Sequence, residues 1–188
     1  MRIEEFLRDF LDITDKALVD LVCTSGNVKQ LRKGELLIRQ GEKPTYIYLT
    51  VAGVFRGCFM DANGKDITDC FVFKPGLPVM PSYDLTAPAA VGIEALTPAQ
   101  VLSIPMETFK TQMMVYPQVQ QLYLKFLIRS NELHWELKML SYQNTAMERY
   151  RWFLINYPGL IDRVSHKYIA SFLNMTPVTF SRLVNWES

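Results

Sequence analysis

The sequence predicts an α+β fold in which an antiparallel β-barrel or sandwich is followed by helices. Between Val28 and Ile104 short apolar runs are cut at intervals by glycine and proline, a spacing typical of many short antiparallel strands. Beyond Pro105 the apolar residues recur in steps of three and four, which indicates helices. We therefore predict a barrel with flanking helices (residues 1–115), a long helix (116–145) and a small helical domain (146–188).

The composition is that of an ordinary globular protein. Apolar residues make up 49% of the chain and charged residues 21%, which is enough apolar mass for a core. The net charge is +1, so any binding to nucleic acid must come from a local patch. The N-terminus MRIEEFLRDF lacks the pattern of a signal peptide, and no apolar run approaches the length of a membrane span.

The cysteines predict a reducing compartment. Cys23, Cys58 and Cys70 are scattered without CxxC spacing. An odd count in a chain without an export signal points to reduced thiols in the cytoplasm. We expect buried structural cysteines, with a redox sensor as the alternative.

The first hundred residues are expected to form two helices and then strands. Thr14 is the predicted N-cap of the second helix, and Gly26 ends the helical pattern. The predicted strands are ELLIR, YIYLTV, VFRGCFM, DITDCFVF, AVGIEAL and QVLSI. Asn63-Gly64 predicts a two-residue hairpin turn, which needs positive φ at both residues.

The long helix is expected to begin at Pro117, which suits a first helical turn. Two apolar stripes run along it. The first consists of Val119, Tyr123, Phe126, Ser130, Leu133, Leu137 and Leu140; its four-and-three spacing is that of a coiled-coil seam. The second consists of Leu124, Leu127, Ile128 and Trp135. One stripe could pack on the barrel while the other meets a partner subunit, so we predict a homodimer. A single thick core helix in a monomer is the alternative.

The stretch SHKYIASFLNMTPVTFSRL, from Ser165 to Leu183, has the spacing of two short helices joined by a tight turn. Asn174 tolerates the left-handed conformation that such a turn requires, and Thr176 with Pro177 is a helix start. This is the pattern of a helix-turn-helix, whose second helix lies in the major groove, although generic helix pairs share it. This end of the chain carries a modest positive charge, from Arg163, Lys167 and Arg182 with Glu187 opposing them. So small a charge predicts that DNA binding needs two copies of the chain.

The order of these segments along the chain resembles that of the Crp/Fnr superfamily of bacterial transcription regulators. The resemblance rests on KGELLIRQGE, YIYLTVAGVFRG, the NG turn, FKPG, IEAL before QVLSIP, and RYRWFL ahead of the helix-turn-helix. It implies a jelly-roll (double-stranded β-helix) barrel of the cyclic-nucleotide-binding type, a dimerisation helix and a DNA-binding helix-turn-helix. The implied partners are double-stranded DNA, a second copy of the chain, a small-molecule effector and RNA polymerase. The residues expected at the DNA are Ser165, His166, Lys167, Thr176, Pro177, Val178, Thr179, Ser181 and Arg182.

This chain departs from the family pattern at the site where family members bind the nucleotide. Where members that bind cyclic nucleotides carry a phosphate-binding arginine and a hydroxyl residue, this chain has Ala89 and Ala90, and Pro78 and Val79 stand near the ribose-binding glutamate. A buried phosphate without an arginine is an uncompensated charge. We therefore expect an effector other than a cyclic nucleotide, or a collapsed barrel without ligand. The expected effector pocket consists of Val79, Met80, Ser82, Tyr83, Ala89, Ala90, Val91, Asn131, His134 and Trp135.

Two further departures affect the DNA-binding end. Family members commonly carry a base-reading glutamate where this chain has Val178. They also place a β-hairpin wing after the recognition helix, whereas only six residues follow Arg182 here.

Other classes of protein fit the sequence less well. An iron–sulfur sensor needs four clustered cysteines, and a haem sensor needs an axial ligand, for which only His134 and His166 are present. No metal site or cofactor is therefore expected. Barrel enzymes need several histidines and a carboxylate at one metal, but Val28 to Ile104 contains no histidine, and we expect no enzyme. A protein-binding module with a degenerate helix-turn-helix stays open; burial of Val178, Thr179 and Arg182 against the barrel would favour it.

Overall fold

The computed structural model describes residues 2–187, with side chains up to Trp186. The helices in this part of the chain are α1 (Ile3–Leu11), α2 (Lys16–Ser25), α3 (Met106–Val115), α4 (Pro117–Gln143), α5 (Ala146–Asn156), α6 (His166–Phe172) and α7 (Pro177–Glu187). The strands are β1 (Asn27–Leu31), β2 (Leu36–Ile38), β3 (Tyr46–Ala52), β4 (Phe55–Met60), β5 (Asp66–Val72), β6 (Gly92–Ala95) and β7 (Ala99–Pro105). None of these helices is long and apolar enough to cross a membrane.

The strands form two antiparallel sheets that face each other. One has the order β1-β7-β3 and the other β2-β6-β4-β5. Strands adjacent in sequence are thus mostly separated in space, as in a jelly-roll. This confirms the predicted α+β fold and its antiparallel barrel.

Two local predictions were wrong: the N-cap of α2 and the length of the β4–β5 turn. In both places an aspartate side chain accepts hydrogen bonds from the backbone that the prediction did not include. The N-cap of α2 is Asp15, whose carboxylate accepts the Leu18 N–H at 2.9 Å, and not Thr14. In the β4–β5 hairpin only Gly64 has positive φ. The turn is wider than two residues because the Asp61 carboxylate accepts the N–H groups of Asn63 and Lys65 at 2.8 and 2.9 Å, which stabilises a longer loop.

The barrel interior is filled with side chains. Phe55, Val79, Ile93 and Val101 are almost fully buried in one cluster. A second cluster packs α1, α2 and the start of α4 onto the three-stranded sheet. The barrel is therefore a packed core and not an open container.

The long helix uses its two stripes differently. In the first stripe Val119 is buried and Phe126 packs on the cluster beside α1 and α2, while Leu137 packs on the C-terminal cluster. In the second stripe Leu124, Ile128 and Trp135 are 54%, 51% and 60% exposed. The coiled-coil-like seam thus packs on the chain's own barrel, and the second stripe is left uncovered.

The C-terminal helices share a hydrophobic core with the barrel. Phe71 of β5 contacts Phe153 of α5 and Phe172 of α6 edge to face, with ring centroids 6.3 and 5.1 Å apart. Val54 and Leu96 of the barrel belong to the same cluster. The small helical domain predicted from residue 146 is therefore docked directly on the four-stranded sheet.

Candidate nucleic-acid interface

The helix pair α6–α7 has the geometry that the sequence predicts. Asn174 adopts a left-handed conformation (φ 51°), and the Met175 N–H donates to the Ala170 carbonyl at 2.9 Å. The Thr176 hydroxyl accepts the Thr179 N–H at 3.1 Å, so Thr176 caps α7 ahead of Pro177. The turn is fixed by backbone bonds and by a cap on the second helix.

One face of each helix is buried. Ile169, Ala170 and Leu173 of the first helix meet Phe180 and Leu183 of the second, and all five are buried. The ring of Phe180 packs edge-on against Tyr150 of α5 at 5.5 Å. These contacts set the rotation of α7 about its own axis.

The opposite face of α7 is open to solvent. Val178 is 62% exposed, and Ser181 and Arg182 are exposed. Arg182 has no hydrogen bond or ion pair with any residue whose side chain is described. This face is not buried against the barrel, the arrangement that would favour a protein-binding module.

The other residues predicted at the DNA lie at the starts of α6 and α7. Thr176 and Pro177 are exposed and Thr179 is half-buried. Ser165, His166 and Lys167 are exposed at the start of α6, and the Lys167 ammonium lies 4.7 Å from the ring centroid of Tyr168. From residue 162 to 187 the sequence carries three cations and two carboxylates, a net of one, so the electrostatic contribution of a single copy is small.

Sequence reasoning missed a polar contact that joins α6 to the barrel. The side chain of Arg56 on β4 is only 5% exposed. Its guanidinium donates to both oxygens of Asp66 at 2.9 and 2.7 Å, to Glu94 at 2.8 Å and to the Thr68 hydroxyl at 3.1 Å. Burial disfavours its charged form, but the hydrogen bonds to Asp66 and Glu94 outweigh burial, so the pKa of Arg56 is raised above its usual value. The arginine therefore stays charged inside the protein.

The same guanidinium stacks on a ring of the helix-turn-helix. Its carbon lies 3.8 Å from the ring centroid of Tyr168 on α6, a cation–π distance. Next to it, the Thr68 N–H of β5 donates to the Ser171 hydroxyl of α6 at 3.0 Å. No sequence motif marks Arg56, because its partners come from β5, β6 and α6.

The expected effector pocket is only partly assembled. A cavity of about 90 Å³ lies between β5, the 77–83 segment and α4, and three of the ten expected residues, Met80, Tyr83 and His134, line it. Val79 and Ala89 are instead buried in the barrel core, and Val91 packs against that core. Ala90, Asn131 and Trp135 are exposed, and the Ser82 hydroxyl accepts the Asp84 N–H. The ten expected residues therefore do not line a single pocket, because the apolar ones among them pack in the barrel interior.

His134 connects α4 to the barrel. Its Nδ1 lies 2.8 Å from the Ser130 carbonyl and 3.3 Å from the Tyr83 hydroxyl, and its Nε2 lies 3.5 Å from the Asp69 carboxylate. The hydrogen bond to Asp69 raises the pKa of His134 against the opposing effect of burial. His134 therefore holds α4 on β5.

The cysteines and histidines form no metal cluster within the described residues. Cys58 and Cys70 are partly buried on adjacent strands, but Cys23 is exposed on α2, so the expectation of three buried cysteines was wrong for Cys23. Burial raises the pKa of the Cys70 thiol to about 12, which leaves it protonated at neutral pH.

Comparisons with known proteins agree with this fold and its helix pair. Residues 28–116 match the cyclic nucleotide-binding domain family. The chain is 25% identical over 78% of its length to the transcriptional activator protein Anr of Pseudomonas protegens, and 26% identical over 92% to FnrA of Stutzerimonas stutzeri. It covers 59% of Anr and 74% of FnrA. The structure of FixK2 from Bradyrhizobium japonicum superimposes with a TM-score of 0.76 over 86% of this chain and 83% of that one, at 19% identity.

These similarities define the class of protein: a cyclic-nucleotide-binding type of barrel joined to a helix-turn-helix. The similarity of residues 28–116 to the cyclic nucleotide-binding domain family and of the chain to Anr and FnrA supports the resemblance to Crp/Fnr transcription regulators that the sequence motifs predicted.

Proposed function

We propose that this chain is a homodimeric transcription regulator that binds double-stranded DNA through α7. The observation that carries the proposal is the face of α7 on which Val178, Ser181 and Arg182 are exposed, while the opposite face is buried in the core. A helix with an exposed arginine on its outer face suits insertion into the major groove.

The exposed stripe on α4 supports the dimer. Leu124, Ile128 and Trp135 leave apolar surface uncovered along one side of a long helix, and a second copy of the same stripe covers it in a two-fold arrangement. Two recognition helices would then contact half-sites about one helical turn, roughly 34 Å, apart. Pairing also doubles the small positive charge of each copy. Contact with RNA polymerase at the promoter is part of the same proposal.

The barrel supports a regulator that does not respond to cyclic nucleotides. The cavity of about 90 Å³ is well below the roughly 300–1,000 Å³ of pockets that hold drug-sized ligands. Ala89 is packed in the barrel core and Ala90 points to solvent, so neither offers a partner to a phosphate. Any effector that enters between Tyr83 and His134 must be small or must open the cavity.

Selection of bound sequences from a random DNA library tests the proposal. An enriched motif with two half-sites is expected. Arg182→Ala should weaken binding to it by about 1–3 kcal/mol and relax the choice of base at one position per half-site. Arg39→Ala, an exposed barrel arginine paired with Glu42, is the matched control and should bind as the wild type does. Absence of an enriched motif, with equal behaviour of the two variants, would refute the assignment.

A further inference from the structure

A second and larger cavity lies at the junction of the barrel, α4 and α5. Its volume is about 250 Å³, nearly three times that of the cavity beside His134 and close to the lower end of ordinary ligand pockets. Phe73 and Lys74 come from the barrel, Arg129 and Glu132 from α4, and Trp152 and Tyr157 from α5. We call it the junction cleft.

The aromatic walls of the junction cleft are held in place. Tyr157 is buried and stacks on Phe153 with ring centroids 5.1 Å apart at 10°. The Trp152 indole N–H donates to the Glu136 carboxylate at 2.7 Å, and its ring lies 5.8 Å from that of Tyr157. Two fixed rings on one side favour a planar, apolar occupant because no side chain has to be ordered when it binds.

Two cations of the cleft are available to a negatively charged group of a ligand. Lys74 and Arg129 form no hydrogen bond or ion pair with the residues that the structure describes. The two carboxylates, Glu132 and Glu136, equal these cations in number, but Glu136 is held at the Trp152 N–H. Burial, Cys70 and Glu136 raise the pKa of Tyr157, and Arg129 opposes this rise. A carboxylate, sulfonate or phosphate group would satisfy both cations.

We propose that the junction cleft binds a small aromatic organic anion, with its ring against Trp152 and Tyr157 and its anionic group at Lys74 and Arg129. The proposal goes beyond DNA binding and does not depend on it. Because α5 leads into the α6–α7 pair, such a ligand would tie the helix-turn-helix to both the barrel and α4. The cleft is separate from the positions that the resemblance assigns to a cyclic nucleotide, because neither Ala89 nor Ala90 lines it.

Titration of the full chain with the fluorescent probe 1-anilinonaphthalene-8-sulfonate tests this site. Saturable binding of one dye per chain is expected. The double variant Lys74→Gln/Arg129→Gln should weaken binding roughly tenfold or more, because it removes charge-assisted contacts. The matched control is Lys43→Gln/Lys125→Gln, which loses the same charge at exposed positions outside the cleft. Its dye affinity should stay within about twofold of the wild type.

A charge swap at Asn156 separates the junction cleft from the smaller cavity. Asn156 is exposed and lines the cleft but not the cavity beside His134. Asn156→Glu should weaken dye binding and Asn156→Lys should strengthen it, while both variants melt near the wild-type temperature by circular dichroism. Equal dye affinity of Asn156→Glu and Asn156→Lys, or of the glutamine double variant and its control, would overturn the proposal.

Discussion

Replacing Arg56 with methionine tests whether the buried arginine holds the barrel and the helix-turn-helix together. Methionine fills similar space but leaves Glu94, whose side chain is 18% exposed, without its partner. An unpaired group of that kind costs about 1.5–3 kcal/mol. Loss of the contact with Tyr168 adds about 1 kcal/mol. Asp66 is 41% exposed, so water replaces most of its interaction and it adds at most about 1 kcal/mol.

Together these contributions predict that Arg56→Met lowers the free energy of unfolding by about 2.5–5 kcal/mol, similar to the cost of breaking a buried ion pair. Urea denaturation followed by circular dichroism measures the loss. Asp66→Asn is the control at the exposed side and should cost about 1 kcal/mol or less.

A double variant tests the physical reason for the loss. Arg56→Met/Glu94→Met should be more stable than Arg56→Met alone, because it leaves no buried charge unpaired. A loss below about 1 kcal/mol for Arg56→Met, or a double variant less stable than the single one, would refute this account of the interface.

Three further predictions follow from the faces of α4 and from the cavity. Leu124→Lys/Ile128→Lys should convert the proposed dimer to a folded monomer in light scattering, with Lys125→Glu as an exposed control; a wild type that is itself monomeric at micromolar concentration would contradict the proposed dimer. Cyclic AMP and cyclic GMP at millimolar concentration should give no saturable heat in calorimetry, and micromolar binding would refute the charge argument. The pKa of His134, followed by NMR, should lie above the usual histidine value of about 6.5 and fall in Asp69→Asn. Because the folded-state pKa is raised, the stability that Asp69 provides should be full below about pH 6.5 and lost as the pH rises through the folded pKa; a pH-independent difference between the two proteins would contradict the contact.

The sequence alone determined the features that depend on local rules. Glycine and proline between short apolar runs predicted the strands, Pro117 predicted the start of the long helix, and Asn174 with Thr176 and Pro177 predicted the turn and cap of the helix pair. Each of these signals depends on the conformational preference of one residue or on a period along the chain. Where two residues satisfy the same local rule, as Thr14 and Asp15 do, the sequence could not choose between them.

Only the tertiary structure decided which surfaces meet. In the sequence both stripes of α4 are apolar, and only the packing of Val119 and Phe126 beside the barrel showed which stripe stays exposed. The sequence suggested that Ala89 and Val79 line a pocket, but both residues pack in the barrel core. Arg56 is one arginine among many in the sequence, and it joins the barrel to α6 because Asp66, Glu94 and Tyr168 all contact it. Such contacts join residues that are far apart in the chain, and no period or local preference encodes which of them will be neighbours.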